Sequence, residues 1–174
     1  MPGIAGIANN AVKDGKLAIL DAMLKRMTYR EGYSVKQKVL VDNKVALGKT
    51  DLGILRKPEY ESNKNFTSLF DGEVYGKKVI APGAWIQEES YTTLRSLNGS
   101  YAFVCLDEVR NLLFLVSDKF GSRPLYYTIQ SGSFAFASEV KALCELPGFN
   151  KEPDRQAFAD CYHFGFVLGN KTLF

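Results

Sequence analysis

Cysteine is scarce in this sequence and poorly spaced for joint use. Cys105, Cys144 and Cys161 are odd in number and far apart, and no two form a CxxC pair. A disulfide framework and a cysteine-based zinc site are therefore both excluded, and three reduced, mostly buried thiols are expected. Long apolar runs are also missing. Nothing approaches the roughly 20 residues that cross a bilayer, and the first residues lack the charged and apolar regions of a signal peptide. A soluble, cytoplasmic protein with no membrane partner is expected, and in that setting the N-x-S/T triplets at Asn65, Asn98 and Asn170 carry no meaning. Charge of one sign is not in excess either: 22 Lys and Arg stand against 19 Asp and Glu, a net charge of +3 spread along the chain. Nucleic acid is not an expected partner. What is present is 174 residues of which 46% are hydrophobic, enough for one well-packed domain without staples.

The chain opens on "GIAGI", which reads as a buried strand with Ile4 and Ile7 among small residues. The helical spacing of Leu17, Leu20, Leu24 and Met27, widened by Ile19 and Met23, predicts a helix with one side on a sheet. Strands then dominate to about residue 130. "KQKVLVDNKVALG" is a hairpin around Asp42-Asn43, and "TSLFDGEVYGKKVI" alternates in polarity. A short helix is expected over "EESYTTLRSL", ended by Asn98-Gly99. Two further strand pairs turn at Asp107 to Asn111 and at Gln130 to Ser133. "SEVKALCELPG" reads as a short helix stopped at Pro147-Gly148, and Asp154 as the N-cap of a helix running through Tyr162. With few helices available for parallel crossovers, the fold class is α+β with antiparallel sheets. Several strands are apolar on both faces, so two sheets should pack together beneath helices. The chain stops on the apolar Phe174, which points to a fragment of something longer.

Some attractive motifs do not survive their chemistry. His163 is the single histidine and Cys161 lies close by, but residues two apart on a helix do not face each other. Gly48-Lys49-Thr50 has the look of a phosphate loop, yet the required upstream glycine is Asn43. Arg123 can pair with a carboxylate, and Tyr126 and Tyr127 should turn one ring inward and one outward. Pro2 would be exposed by removal of the initiator Met, leaving a secondary amine with no nucleophilic side chain.

"GIAGI", "FDGEVY", "LNGSYAFVCLD", "SDKFGSRPLYY" and "FASEVKAL" stand in an order and spacing that resembles the N-terminal glutaminase domain of asparagine synthetase, a class II glutamine amidotransferase. The resemblance spans nearly the whole chain. It implies the N-terminal nucleophile hydrolase fold, a four-layer αββα sandwich of two antiparallel sheets. It also implies a glutaminase-like domain over residues 1–150, with 151–174 starting a linker into a synthetase domain absent from this chain. That domain, in cis or in trans, would be the partner, and ATP and magnesium are implied for it alone. No cofactor or metal is expected in this chain, and homodimerisation is left open.

The resemblance also implies where the active site should lie, and there the sequence departs from the family. The family's nucleophile is a cysteine at the second residue, where this chain has Pro2. Its arginine for the substrate carboxylate is replaced by Asp51, in Asp51-Leu52-Gly53-Ile54. Its Asn-Gly-Glu run, which supplies the oxyanion hole, reads Asp71-Gly72-Glu73, and an ionised Asp71 accepts hydrogen bonds without donating any. The His-Arg-Gly-Pro-Asp run appears only as Tyr29-Arg30-Glu31-Gly32-Tyr33. The aspartate for the substrate amino group has no equivalent near "APGAWIQEES". Asp51 and Asp71 are either a solvated surface pair or part of the old pocket; Gly72 and Glu73 read as turn and strand residues or as retained ligand contacts. The expectation is a degenerate, inactive glutaminase domain of an asparagine-synthetase-like amide-forming protein, an arrangement that β-lactam synthetases and lasso-peptide cyclases resemble. The alternative is a stand-alone interaction or regulatory module on the same fold.

Overall fold

The computed structural model describes residues 3–9, 15–29, 31–41, 44–53, 59–76, 81–88, 91–130, 132–169 and 171–173. Two antiparallel sheets face each other. The first has the strand order β2-β3-β1-β9-β8, from β1 (Gly3–Asn9), β2 (Ser34–Val41), β3 (Val45–Asp51), β8 (Tyr126–Gln130) and β9 (Ser133–Ala137). The second runs β4-β5-β6-β7, from β4 (Glu59–Ser62), β5 (Phe66–Val74), β6 (Gly99–Asp107) and β7 (Leu112–Ser117). Every pairing recorded is antiparallel, both in the short hairpins such as β2–β3 and β6–β7 and where β1 lies between the distant β3 and β9.

Alternation divides each strand between two cores. Ile4, Leu47, Leu69, Val104 and Phe136 fill the space between the sheets. On the far side of the first sheet, Ala5, Ile7, Ala46 and Ala137 lie beneath α1 (Lys16–Met27) and α4 (Val140–Leu143). The other face of the second sheet carries Phe66, Phe70, Tyr101 and Phe103, covered by Trp85 and Ile86 of α2 (Pro82–Gln87) and by Leu97, just past α3 (Thr92–Ser96). Helix, sheet, sheet and helix give the four expected layers. The small residues of β1 suit its place at the centre of the first sheet, between β3 and β9.

Some local expectations need correction. In α1, Leu20, Met23, Leu24 and Met27 are fully buried, but Leu17 is 42% exposed and Lys16 is buried in its place. The inward stripe therefore starts one residue earlier than the apolar pattern indicates. The β2–β3 hairpin forms with Val41 opposite Val45, while its turn residues 42 and 43 lie outside the described residues. The helix expected over 88–97 is shorter at its N-terminal side: α3 starts only after Tyr91, whose left-handed backbone cannot continue a helix, and it caps at Leu97 as Gly99 opens β6 opposite Val74. Tyr126 and Tyr127 do point to opposite faces, yet neither is buried, because β8 is an edge strand. α5 (Arg155–Phe164) starts where Asp154 caps it, accepting from Gln156 N at 2.8 Å and Ala157 N at 2.9 Å, and it ends at Gly165. Among the described residues no helix is long and apolar enough to cross a membrane.

Candidate functional site

Asp71 and Gly72 meet Lys49 and Arg123 at the end of the sandwich where β3 finishes. β1 is anchored there by Ser138, whose Oγ accepts from Ile4 N at 3.0 Å, and Gly3 pairs with Thr50. Pro2 lies outside the described residues. Lys49 and Asp51 share one face of β3 while Thr50 takes the other, and the face of Lys49 is the one toward the second sheet.

Across the gap stands Asp71 on β5, only 4% exposed. Its Oδ2 accepts from Arg123 Nη1 at 2.6 Å, and its Oδ1 lies 3.7 Å from Lys49 Nζ. Lys49 also donates to the Phe70 carbonyl at 2.6 Å. A carboxylate out of water needs such partners, and here one cation comes from each side of the sandwich. The reading of Asp71 as a solvated surface residue is thereby corrected: the side chain is buried because β3 and the loop after β7 close over it.

That loop is built by a second acid. Asp118, itself buried, accepts from Tyr101 N at 3.2 Å, Phe120 N at 2.9 Å and Ser122 Oγ at 2.5 Å, and its two oxygens share Ser122 N. Burial pushes its pKa up, but the Ser122 hydroxyl and the surrounding N–H groups outweigh that and hold it near 2. The loop so tied delivers Arg123, whose Nε donates to Ser100 O at 3.1 Å. Gly72 makes room for it. A Cβ there would lie 2.1 Å from Ser100 O and 2.8 Å from Arg123 Nε, and its φ of +120° disfavours any other residue.

The remaining candidates do not join the cluster. Glu73 is exposed, opposite Ser100. Asp51 is half-buried, and its Oδ1 accepts from Gly53 N in a tight local turn. Cys105 is fully buried on β6. Burial, aided by the nearby Glu61 and Asp107 charges, pushes its thiol up to about 12, far from thiolate chemistry. His163 donates from Nδ1 to Ala159 O at 2.9 Å, a contact within its own helix. Among the described residues no three His, Cys, Asp or Glu side chains come together as a metal site would need. Lys49 is the residue that motif reading missed. The usable signal was a lysine two residues after the apolar run Val45–Leu47, on a strand buried from both sides, where an amine must find a partner.

Two stacked antiparallel sheets between helices, with the first strand central and the candidate residues at one end, define a sandwich of the N-terminal nucleophile hydrolase class. A model of the glutamine amidotransferase domain matches residues 84–174, more than half of the chain, and the chain belongs to that family. It is 31% identical over 118 residues to asparagine synthetase [glutamine-hydrolyzing] 3 of Bacillus subtilis, covering 58% of this chain and 19% of that protein. It is 30% identical over 150 residues to a probable asparagine synthetase of Acanthamoeba polyphaga mimivirus, covering 73% of this chain and 27% of that one. Glutamine phosphoribosylpyrophosphate amidotransferase from Bacillus subtilis, solved with ADP and GMP, shares the fold with a TM-score of 0.54 at 15% identity, over 82% of this chain and 43% of that one. The chain thus spans less than a third of the length of these synthetase relatives.

Proposed function

We propose that this chain is a catalytically silent glutaminase-type domain, the partner of an ATP-dependent, asparagine-synthetase-like amide-forming polypeptide that draws its ammonia or amine elsewhere. The observation that carries this reading is Asp71, a buried carboxylate pinned between Arg123 and Lys49 where the resemblance implies an amide that stabilises an oxyanion. A carboxylate offers no hydrogen to a tetrahedral oxyanion, and loss of one such donor typically costs about 10²- to 10³-fold in rate. Pro2 brings no thiol, Cys105 is buried, and Asp51 presents a carboxylate where the resemblance implies a guanidinium for glutamine's own. ATP and magnesium belong, on this reading, to the synthetase part, and the setting is cytoplasmic. A stand-alone interaction module is the second reading, favoured by the exposed Phe158, Tyr162, Phe164 and Phe166 at and just beyond α5.

The test is glutamate release from glutamine by the purified chain and by Pro2→Cys with its initiator Met removed. Both should stay at background. Robust turnover by the single variant would overturn the reading, because the remaining groups would then still recognise glutamine.

A further inference from the structure

One end of the sandwich carries Asp71 and its basic partners, and the other end is hollow. The side chains that β1 sends between the sheets shrink toward that second end, from Ile4 to Gly6 to Ala8. Gly6 leaves no space, because a Cβ there would lie 2.5 Å from the Phe136 ring. At Ala8 space remains, and a cavity of about 530 Å³ opens beside it. Ala8 pairs with Val45, where β3 begins, and with Phe134 of β9. The cavity therefore lies away from the Lys49–Asp71 cluster, which sits where β3 finishes. Its walls are apolar, from Val45, Leu106, Leu113, Ile129 and Phe134. Val45 and Leu106 are buried and form the deep wall, whereas Ile129, on the edge strand β8, is 71% exposed and leaves the mouth open. Polar groups come from Lys44, Asn111 and Ser133, which stand at the turns of the β2–β3, β6–β7 and β8–β9 hairpins. Among the described residues Lys44 is the one charged side chain of the lining, and no ion pair holds it.

We propose that this cavity binds a small monoanionic amphiphile, an alkyl or aryl carboxylate whose apolar body lies against Leu106, Leu113 and Phe134 and whose head group meets Lys44. Small-molecule sites are usually concavities of roughly 300–1,000 Å³ with mostly apolar walls and a few placed polar groups, and this one has that size and that division. Removal of apolar surface from water holds the body in place. The head group is assigned by charge: a single ammonium at the rim answers a single negative charge, and no acid among the described lining residues opposes it. A neutral amphiphile would leave Lys44 unanswered, and a cationic one would be repelled by it. The site shares no residue with the Asp71 cluster, so the inference stands apart from the functional reading above.

Calorimetric titration of the 174-residue chain with octanoate decides it, with octanol and octylammonium as the uncharged and cationic counterparts. Octanoate should bind one to one and about tenfold or more tighter than either. Ala8→Met fills the cavity with an apolar side chain, so it should melt no lower than the parent and bind octanoate about tenfold or more weakly. Lys44→Met changes an exposed residue and should bring octanoate down to the affinity of octanol while leaving octanol unchanged. Equal affinity of the parent for all three probes would overturn the carboxylate assignment. Octanoate binding that is unchanged in both variants, or that fills many sites per chain, would overturn the cavity as the site. Absence of octanoate binding would overturn the proposal as a whole. Should Ala8→Met fail to fold, Lys44→Met decides alone.

Discussion

At residue 71 a carboxyl group sits in a place that excludes water, and two basic side chains of different elements answer it. Arg123 holds one oxygen at 2.6 Å and Lys49 stands 3.7 Å from the other. The three groups tie the sheets together at the end where the resemblance implies the active site. Removing the carboxylate would strand both cations, and breaking a buried pair from one side costs about 3–5 kcal/mol. Because the Arg123 side chain keeps 30% of its surface in water, Asp71→Asn should fall at the low end, about 3 kcal/mol by the same scale. Lys49→Met should cost less, since Asp71 keeps its bidentate-capable partner. Urea unfolding of the two variants checks the order; an Asp71→Asn midpoint equal to the parent's would show that the triad holds nothing. Placing an amide at position 71 is therefore not a neutral change.

At the scale of elements, α1 is placed by the absence of a side chain on the strand beneath it. Gly48 on β3 faces the helix, and a Cβ there would come within 2.5 Å of Leu24 Cδ1. Leu24 is fully buried among Ala5, Ala46 and Met27, so it has little room to give way. Leu24→Ala should cost about 2–5 kcal/mol, the usual range for a leucine in a packed core. Gly48→Ala should destabilise as well, and the double variant should lose less than the sum of the two, since each change makes room for the other. Additive losses in urea melts would show that helix and strand do not meet as described.

For the whole molecule, the ionised acids set the response to pH. Burial alone would raise Asp118, but its hydrogen bonds hold it near 2, below the ordinary 3.8. Asp107 is likewise opposed by burial yet held below its usual range by Arg110, through backbone and side-chain contacts. A carboxyl whose pKa is lower folded than unfolded adds stability above the unfolded value and loses it as pH falls through the folded one. Stability should thus be level near neutrality and fall between about pH 4 and 2. Asp118→Asn should be weaker at pH 7 and show a flatter fall in that window. Chemical denaturation across the range tests this, and an unchanged slope in the variant would remove Asp118 from the account.

Much of the architecture was legible in the chain itself. Two-sided apolar strands, short polar turns and a helix with apolar residues at three- and four-residue intervals are local patterns, and they sufficed for two antiparallel sheets covered by helices. The Asp154 cap was equally local, because a capping side chain needs only its own next residues. Of the positions read as candidates, Asp71 and Gly72 lie in the buried cluster while Asp51 and Glu73 stand apart from it, and the arrangement itself could not be read from the chain. Lys49 and Asp71 are 22 residues apart and Arg123 another 52, so nothing short of the stacked sheets could show that they neutralise one another. Which segments are strands and where the charged residues stand could be read along the chain, because both are matters of near neighbours. Which charges are buried and which are paired came only with the stacked sheets, because burial and pairing depend on what distant segments bring to the same place.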